Sequence, residues 1–199
     1  MGATDMSISF RPARVADIPH LAHALMEASG GLVEAVYERA IPDRETHLIV
    51  EHLYSRPDGT TAIKHCLVAE DDGNVLGSIH AFPMDDMGDD TADLLVSEDR
   101  YGLFEPFMKM HADGSYYIMA VSVYPDAQGH GTGSRLIAEA EDAARAKGFK
   151  QMSLNVFAEN EGAVRLYRSL GYVECAREPV VPHDKIRYGG DVLLMVRDL

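Results

Sequence analysis

A short segment with three glycines lies between a predicted strand and a predicted helix, and it constrains the fold more than any other part of the chain. The strand is an apolar, β-branched run at 116–124, and the helix at 134–147 has one apolar face and Gly148 as its C-terminal stop. Glycines let the backbone approach a ligand closely, and the unpaired N–H groups at a helix N-terminus favour an anion. Three glycines in alternate positions exceed what an ordinary strand-to-helix turn requires, so the segment is predicted to bind a phosphate group. Its residues are Gln128, Gly129, His130, Gly131, Thr132 and Gly133.

Two common phosphate-binding motifs do not match this glycine loop. A Walker loop requires Gly-Lys followed by Ser or Thr, which the loop lacks. A dinucleotide-binding fingerprint requires Gly or Ala at position 134, which is Ser134, and an acidic residue at the end of the next strand. The strand predicted at 151–157 contains no carboxylate. Both nucleotide interpretations therefore fail.

The remaining pattern predicts one α/β domain over residues 1–199. The turn Asp71-Asp72-Gly73-Asn74 separates two apolar runs and predicts a β-hairpin. Asn160 is predicted to cap a helix that ends at Gly171. Further strands are predicted at 8–10, 62–70, 75–82, 172–177 and 191–196, and further helices after Asp17, at 32–37 and at 44–54. Strands and helices mixed in this order indicate a mixed sheet with helices against it.

Residues 83–114 form a long connection whose composition changes halfway. The acidic first half has no basic residue before Arg100, and the second half is apolar and aromatic. A connection of this length in a compact domain is usually a functional lid or a mobile segment, and carboxylates beside aromatic side chains would suit an amine with an apolar body. A solvated surface loop is the alternative. The residues concerned are Asp85, Asp86, Asp89, Asp90 and Asp93, followed by Tyr101, Leu103, Phe104, Phe107, Met108 and Met110.

Charge and cysteine content narrow the partners. The formal net charge is −14, from 18 basic and 32 acidic side chains, so nucleic acid is a poor candidate partner. The charge could steer cationic substrates or serve solubility alone. Cys66 and Cys175 lack metal-ligand spacing and are predicted to be buried and reduced, which favours a cytoplasmic protein without a metal. The apolar runs are too short to span a membrane, and a homodimer is one option for the assembly.

The order strand, Gln-x-x-Gly-x-Gly, helix, strand, and then Asn160, Ala163, Tyr167, Gly171 and Tyr172 resembles the GNAT superfamily of N-acetyltransferases. The specific match covers about residues 116–172. The resemblance implies an α/β fold of the α+β type, with a mixed, mostly antiparallel central sheet flanked by helices. It also implies direct transfer of an acetyl group from acetyl-CoA to a primary amine of a small-molecule or peptide acceptor. Acetyl is the family default, and a longer acyl donor stays open.

The resemblance also implies roles for individual residues. The loop from Gln128 to Gly133 would bind the pyrophosphate of coenzyme A through backbone amides, and the backbone of Val121 and Val123 would lie along the pantetheine arm. Asn160 would contact that arm as well as cap its helix. Tyr167 would protonate the leaving thiolate as general acid, although an aromatic residue on a buried helical stripe can instead be core.

The general base has no clear candidate in the sequence. The strand at 116–124 contains no Asp or Glu, so the carboxylate that related enzymes often carry there is missing. Glu70, at the end of the second predicted strand, is one candidate, and capping of the hairpin is the alternative role. The further candidates are His80, His111, Asp113 and His183.

Two other kinds of protein stay open at this stage. The missing strand carboxylate would suit a coenzyme-A-binding sensor that has lost catalysis, whereas Tyr167 argues against that. The acidic part of residues 83–114 would suit an interaction protein that docks a basic partner and binds no acetyl-CoA.

Overall fold

The computed structural model describes residues 7–87 and 95–199. Seven strands occur there: β1 (Ser9–Pro12), β2 (Cys66–Asp71), β3 (Asn74–Pro83), β4 (Tyr116–Val123), β5 (Gln151–Phe157), β6 (Val173–Pro179) and β7 (Asp191–Asp198). They form one sheet in the order β1-β2-β3-β4-β5-β7-β6. Between these strands, only β4 and β5 pair in parallel, and the other neighbours are antiparallel. The predicted mixed, mostly antiparallel sheet is confirmed.

Helices cover both faces of the sheet. Those of the described ranges are α1 (Ile18–Ala28), α2 (Leu32–Val36), α3 (Thr46–Ser55), α4 (Glu98–Tyr101), α5 (Glu105–Lys109), α6 (Thr132–Ala146) and α7 (Glu161–Ser169). Neighbouring strand residues point to opposite faces, so Val68 packs with α1, α2 and α3 while Ala69 packs with α6 and α7. Two apolar cores therefore share one sheet.

The hairpin between β2 and β3 follows its sequence signal. Asp72 and Gly73 both have positive φ, at 48° and 80°, which is the two-residue turn that matches the twist of the strands. The strand predicted from residue 62 instead begins at Cys66, because Ile63–His65 forms a 3₁₀ turn. The predicted strand, glycine loop and helix around residue 131 are confirmed as β4, its loop and α6.

The two cysteines have different environments. Cys66 is buried under α1 and α3, as predicted, and Cys175 is exposed, so the prediction that both are buried is wrong for Cys175. Residues of β6 alternate between half-buried and exposed because the strand lies at the edge of the sheet, and Cys175 falls on the exposed side. Both thiols are free.

Candidate active site

The parallel strands β4 and β5 separate after a short paired region. Only residues 116–118 of β4 pair with β5. The register between β3 and β4 then shifts between His80 and Ala81, which leaves Met119 as an extra residue in β4. A bulge of this kind bends and twists its strand, so it accounts for the departure of β4 from β5 beyond Ile118. The rest of β4 has β3 as its partner on one side and faces an opening on the other.

A cavity of about 550 Å³ occupies this opening. Its walls include residues 118–121 of β4, residues 155–157 of β5, and side chains from the segment that precedes β4. Leu25 of α1 lines it from one face of the sheet and Tyr167 of α7 from the other. The cavity therefore lies in the gap between the strands and is lined from both faces of the sheet.

The glycine loop leads from β4 into α6 with its backbone exposed. Gly129 and Gly131 have φ of 79° and 77°, and a Cβ atom added at either position would meet nothing within 4 Å. Two side chains hold the loop from behind: Gln128 Nε2 donates to the Val123 carbonyl oxygen at 2.9 Å, and buried Thr132 Oγ1 donates to that of Ala127 at 3.3 Å. The two exposed glycines thus have open space beside them at the start of a 15-residue helix, which fits a phosphate-bearing ligand.

Val123 and Gly133, which are both predicted to contact the cofactor, lie close to each other. Val123 is the last residue of β4, and its side chain is 3.7 Å from the position that a Cβ of half-buried Gly133 would take. Val121, two residues earlier on the same strand, lines the cavity. The exposed side chain of His130 makes no hydrogen bond or ion pair within the described part of the chain. The structure therefore brings the end of β4 and the loop together.

Asn160 and Tyr167 reach the cavity from α7. Asn160 caps the helix, since its Oδ1 accepts from the Ala163 backbone N–H at 3.2 Å, and its side chain also lines the cavity. Tyr167 is 8% exposed, and its ring lies 5.8 Å from that of Tyr172. Burial raises the pKa of the Tyr167 phenol to about 12.

The Tyr167 hydroxyl is open to the cavity. It makes no hydrogen bond with the described residues, and no fully buried side-chain oxygen or nitrogen among them lacks a partner. The hydroxyl oxygen must therefore be in contact with the space of the cavity. A buried ring with an accessible phenol is an arrangement that a purely structural core residue does not require.

The structure does not bring Glu70 to this cavity. Its carboxylate accepts from Arg11 Nε at 2.7 Å, and the same guanidinium pairs with Asp17 at 2.6 Å. The Arg11 guanidinium lowers the pKa of the Asp17 carboxyl through this hydrogen bond. Glu70 thus belongs to a charge cluster that joins β1, β2 and the start of α1.

The histidine candidates separate into buried, distant and cavity-lining groups. His80 is fully enclosed, with its Nε2 at 2.7 Å from the Thr60 carbonyl oxygen and its Nδ1 at 3.0 Å from the Tyr54 hydroxyl. Burial lowers its pKa to about 4, so the ring is neutral at neutral pH. His183 contacts Arg100 at 3.1 Å and lies outside the cavity walls. Neither His80 nor His183 is suitably placed to act on an acceptor in the cavity.

His111 and Asp113, by contrast, both line the cavity and contact each other. His111 Nε2 lies 3.2 Å from Asp113 Oδ1, and His111 Nδ1 lies 3.1 Å from the Met108 carbonyl oxygen. Both ring nitrogens therefore face oxygens that can only accept, and the ring donates to Met108 and Asp113 at the same time only when it is protonated. The pair places an imidazole and a carboxylate in contact at the cavity wall.

Sequence reasoning missed two parts of the cavity wall. Tyr37 and the apolar residues of α1 and α2 follow helical spacing, and that pattern cannot separate a side chain that packs on protein from one that packs on a ligand. Asn155 was missed because a single amide within a strand carries no signal. Asp85 lines the cavity, whereas Asp89, Asp90 and Asp93 lie outside the described residues.

The mixed sheet, with its helices on both faces, has the GNAT fold. Residues 32–172 match the model of the acetyltransferase (GNAT) family. This match covers well over half of the chain, and the protein belongs to that family.

Proteins similar to this chain in sequence or structure are also named acetyltransferases. The chain is 35% identical over 85 residues to a mycothiol acetyltransferase of Saccharopolyspora erythraea, a match that covers 42% of this chain and 28% of that protein. It is 28% identical over 145 residues to a thialysine N-epsilon-acetyltransferase of Mus musculus, covering 71% and 76%. The crystal structure of an N-acetyltransferase from Staphylococcus aureus superposes with a TM-score of 0.72 at 18% identity, covering 95% and 100% of the two chains. The last similarity shows the shared fold.

The described ranges contain neither a membrane-spanning helix nor a metal-binding cluster. No helix there is long and apolar enough to cross a membrane. No group of three or more His, Cys, Asp or Glu side chains there could hold a metal ion.

Proposed function

We propose that this protein transfers an acetyl group from acetyl-CoA to the nitrogen of a primary amine. The observation that carries the proposal is the cavity between β4 and β5, onto which the accessible Tyr167 hydroxyl and the capping residue Asn160 both open. Family membership supports the reaction class, and the exposed amides of the glycine loop fit the phosphate groups of the donor.

Acetyl-CoA would be held along the path from the loop to α7. Gln128, Gly129, His130, Gly131, Thr132 and Gly133 would bind its pyrophosphate through the backbone, with Val121, Val123 and Asn160 along the pantetheine arm. The bound donor supplies an activated acyl thioester. The backbone N–H groups of β4 that β5 leaves unpaired are suited to stabilise negative charge on an acyl oxygen.

Tyr167 is proposed as the general acid. With a pKa of about 12, its phenol stays protonated at neutral pH and has a proton to give. Its proton is required only as the carbon–sulfur bond breaks, when a thiolate forms in the same cavity. Loss of water there raises the proton affinity of a thiolate as it does that of a phenolate, which favours the transfer.

His111 is proposed as the general base in place of Glu70. His111 and Asp113 both line the cavity, and Asp113 would stabilise the imidazolium that forms when the ring takes a proton from an acceptor ammonium. His111→Gln should lower kcat at least about tenfold and leave acetyl-CoA affinity unchanged. His47→Gln, at an exposed histidine of α3, is the control.

The decisive experiment has two measurements on the full chain. Calorimetry with acetyl-CoA measures donor binding, and thiol release with a panel of primary amines measures transfer. Binding together with amine-dependent thiol release supports the proposal. Binding without release by any amine would indicate a sensor, and absence of binding would leave a protein-docking role for the acidic surface.

A further inference from the structure

The part of the cavity that faces away from α7 has an apolar and aromatic wall. Its side chains come from the first two helices and from the segment around α5, and they include Leu25, Leu32, Val33, Tyr37, Phe104 and Phe107. Phe107 is fixed in an edge-to-face contact with Phe157, with ring centroids 5.7 Å apart. The wall thus consists of packed side chains around a space large enough for an aromatic ring system.

The charged groups at this wall are of one sign. Asp85 and Asp113 line the cavity, and none of the described residues that line it is Lys or Arg. Residues 83–99 of the sequence contain no basic residue. The basic side chains nearest in sequence are held by acids: Arg100 pairs with Glu38 at 3.1 Å and Lys109 with Glu105 at 2.9 Å. The cavity therefore offers carboxylate acceptors for a cation and no Lys or Arg for an anion.

Resting on the proposed function, we infer that the acceptor is a primary amine with an aromatic or other large apolar body and no carboxylate. The ammonium group would be attracted by Asp85, Asp113 and the aromatic faces, while the apolar body fills the wall. A carboxylate on the same molecule would lie beside two like charges and find no Lys or Arg in the cavity to pair with, which is unfavourable. The protein would thus select amines and reject the corresponding amino acids.

The chain contains no tryptophan, which makes the test direct. Indole emission from tryptamine or tryptophan can be followed without emission from a tryptophan of the protein, so acceptor binding is measured separately from transfer. Both compounds are titrated into the protein in the presence of coenzyme A, and thiol release from acetyl-CoA is measured with the same pair. Ethanolamine serves as an amine that lacks both the apolar body and the carboxylate.

We expect tryptamine to bind at least about tenfold more tightly than tryptophan and to have the higher kcat/KM by a similar factor, with ethanolamine far below it. Binding of the two indoles within threefold of each other, or preferred transfer to tryptophan or ethanolamine, would overturn the inference while the proposed function stands. Failure of tryptamine to bind in a protein that binds acetyl-CoA would overturn it as well. Failure to bind acetyl-CoA would instead overturn the proposed function.

A charge reversal gives a result that misfolding cannot imitate. Asp113→Arg supplies the missing cation, so the preference for tryptamine over tryptophan in binding should fall at least about tenfold through a gain for tryptophan. Asp184→Arg is a matched control, because Asp184 is 89% exposed against 88% for Asp113 and also sits beside a histidine, at 3.0 Å, but lies outside the cavity. An unchanged preference in Asp113→Arg would overturn the inference.

Discussion

The Tyr117 hydroxyl donates a hydrogen bond of 3.1 Å to Asn155 Oδ1 across the point where β4 and β5 separate. The Nδ2 group of the same Asn155 donates to the Met110 carbonyl oxygen at 3.4 Å. One amide thus connects β4, β5 and the end of α5. It fixes the aromatic segment relative to the cavity.

This connection predicts an effect on the acceptor without one on the donor. Asn155→Leu removes both hydrogen bonds at similar volume, each of which contributes about 1 kcal/mol, so the acceptor KM should rise roughly fivefold. Acetyl-CoA affinity from calorimetry should stay within twofold. Gln151→Leu is the control, because Gln151 lies on β5 like Asn155. It removes an exposed side-chain hydrogen bond to Asp198 of β7 and should change neither the acceptor KM nor the acetyl-CoA affinity. Weaker donor binding with an unchanged KM would contradict the assignment.

Tyr167→Phe tests the general acid. The variant keeps the ring and its packing, so we expect kcat to fall by roughly 10²-fold with little change in acetyl-CoA affinity. Tyr116→Phe is the control, since that phenol accepts from Lys147 at 2.9 Å outside the cavity. Steady-state thiol release measures both. A kcat within twofold of the original in Tyr167→Phe would mean that the thiolate leaves by another route.

Gly131→Ala tests the glycine loop. The new Cβ would project into the open space in front of the loop and hinder a pyrophosphate there, so acetyl-CoA should bind at least about tenfold more weakly. Gly73→Ala in the β2–β3 hairpin carries the same backbone strain, with φ of 80° against 77°, and also meets nothing within 4 Å. Equal donor affinity in the two folded variants would refute the loop assignment.

His80 predicts a loss of stability in mild acid. Its folded pKa of about 4 lies below the unfolded value near 6.5, so the unfolded chain binds more protons between these values. The free energy of unfolding should therefore be constant above about pH 6.5 and decrease by roughly 3 kcal/mol as the pH falls to 4. Urea unfolding across this range measures it. His80→Gln should flatten the profile, and His47→Gln should not. An equal slope in His80→Gln would assign the effect to other groups.

Gly31→Ala tests the contact between the α1–α2 turn and the loop before β7. A Cβ there would overlap the Lys185 carbonyl oxygen, and the adjacent Gly30 carbonyl oxygen accepts from the Arg187 backbone N–H at 2.8 Å. We expect the free energy of unfolding to drop about 2 kcal/mol more than in Gly148→Ala, which has a similar φ of 88° and open space. An equal decrease in the free energy of unfolding in the two variants would mean that the loop before β7 moves to accommodate the new Cβ without a cost in stability.

Local sequence signals predicted the strands, turns and helix caps. The candidate site instead depends on contacts between residues that are far apart in the sequence. Asp72-Gly73 and the cap at Asn160 were readable because each is determined by neighbours along the chain. The bulge at Met119 was not, since it depends on how β4 meets β3. Asp17 was predicted to cap α1, but its carboxylate accepts from the Arg14 backbone N–H at 2.7 Å and pairs with Arg11. His111 and Asp113 were among the sequence candidates for the base, and only the cavity distinguishes them from His80 and His183.

The two sides of the cavity come from different stretches of the chain. On the proposed function, the β4 to α7 region supplies the donor side, while α1, α2 and the segment around α5 supply the acceptor side. Apart from contacts such as those of Asn155 and Phe157 of β5 with the α5 segment, a substitution in one stretch acts on its own side of the cavity. New acceptor preferences can therefore be selected, by evolution or in a directed library confined to the acceptor stretch, in a protein that retains its acyl donor throughout.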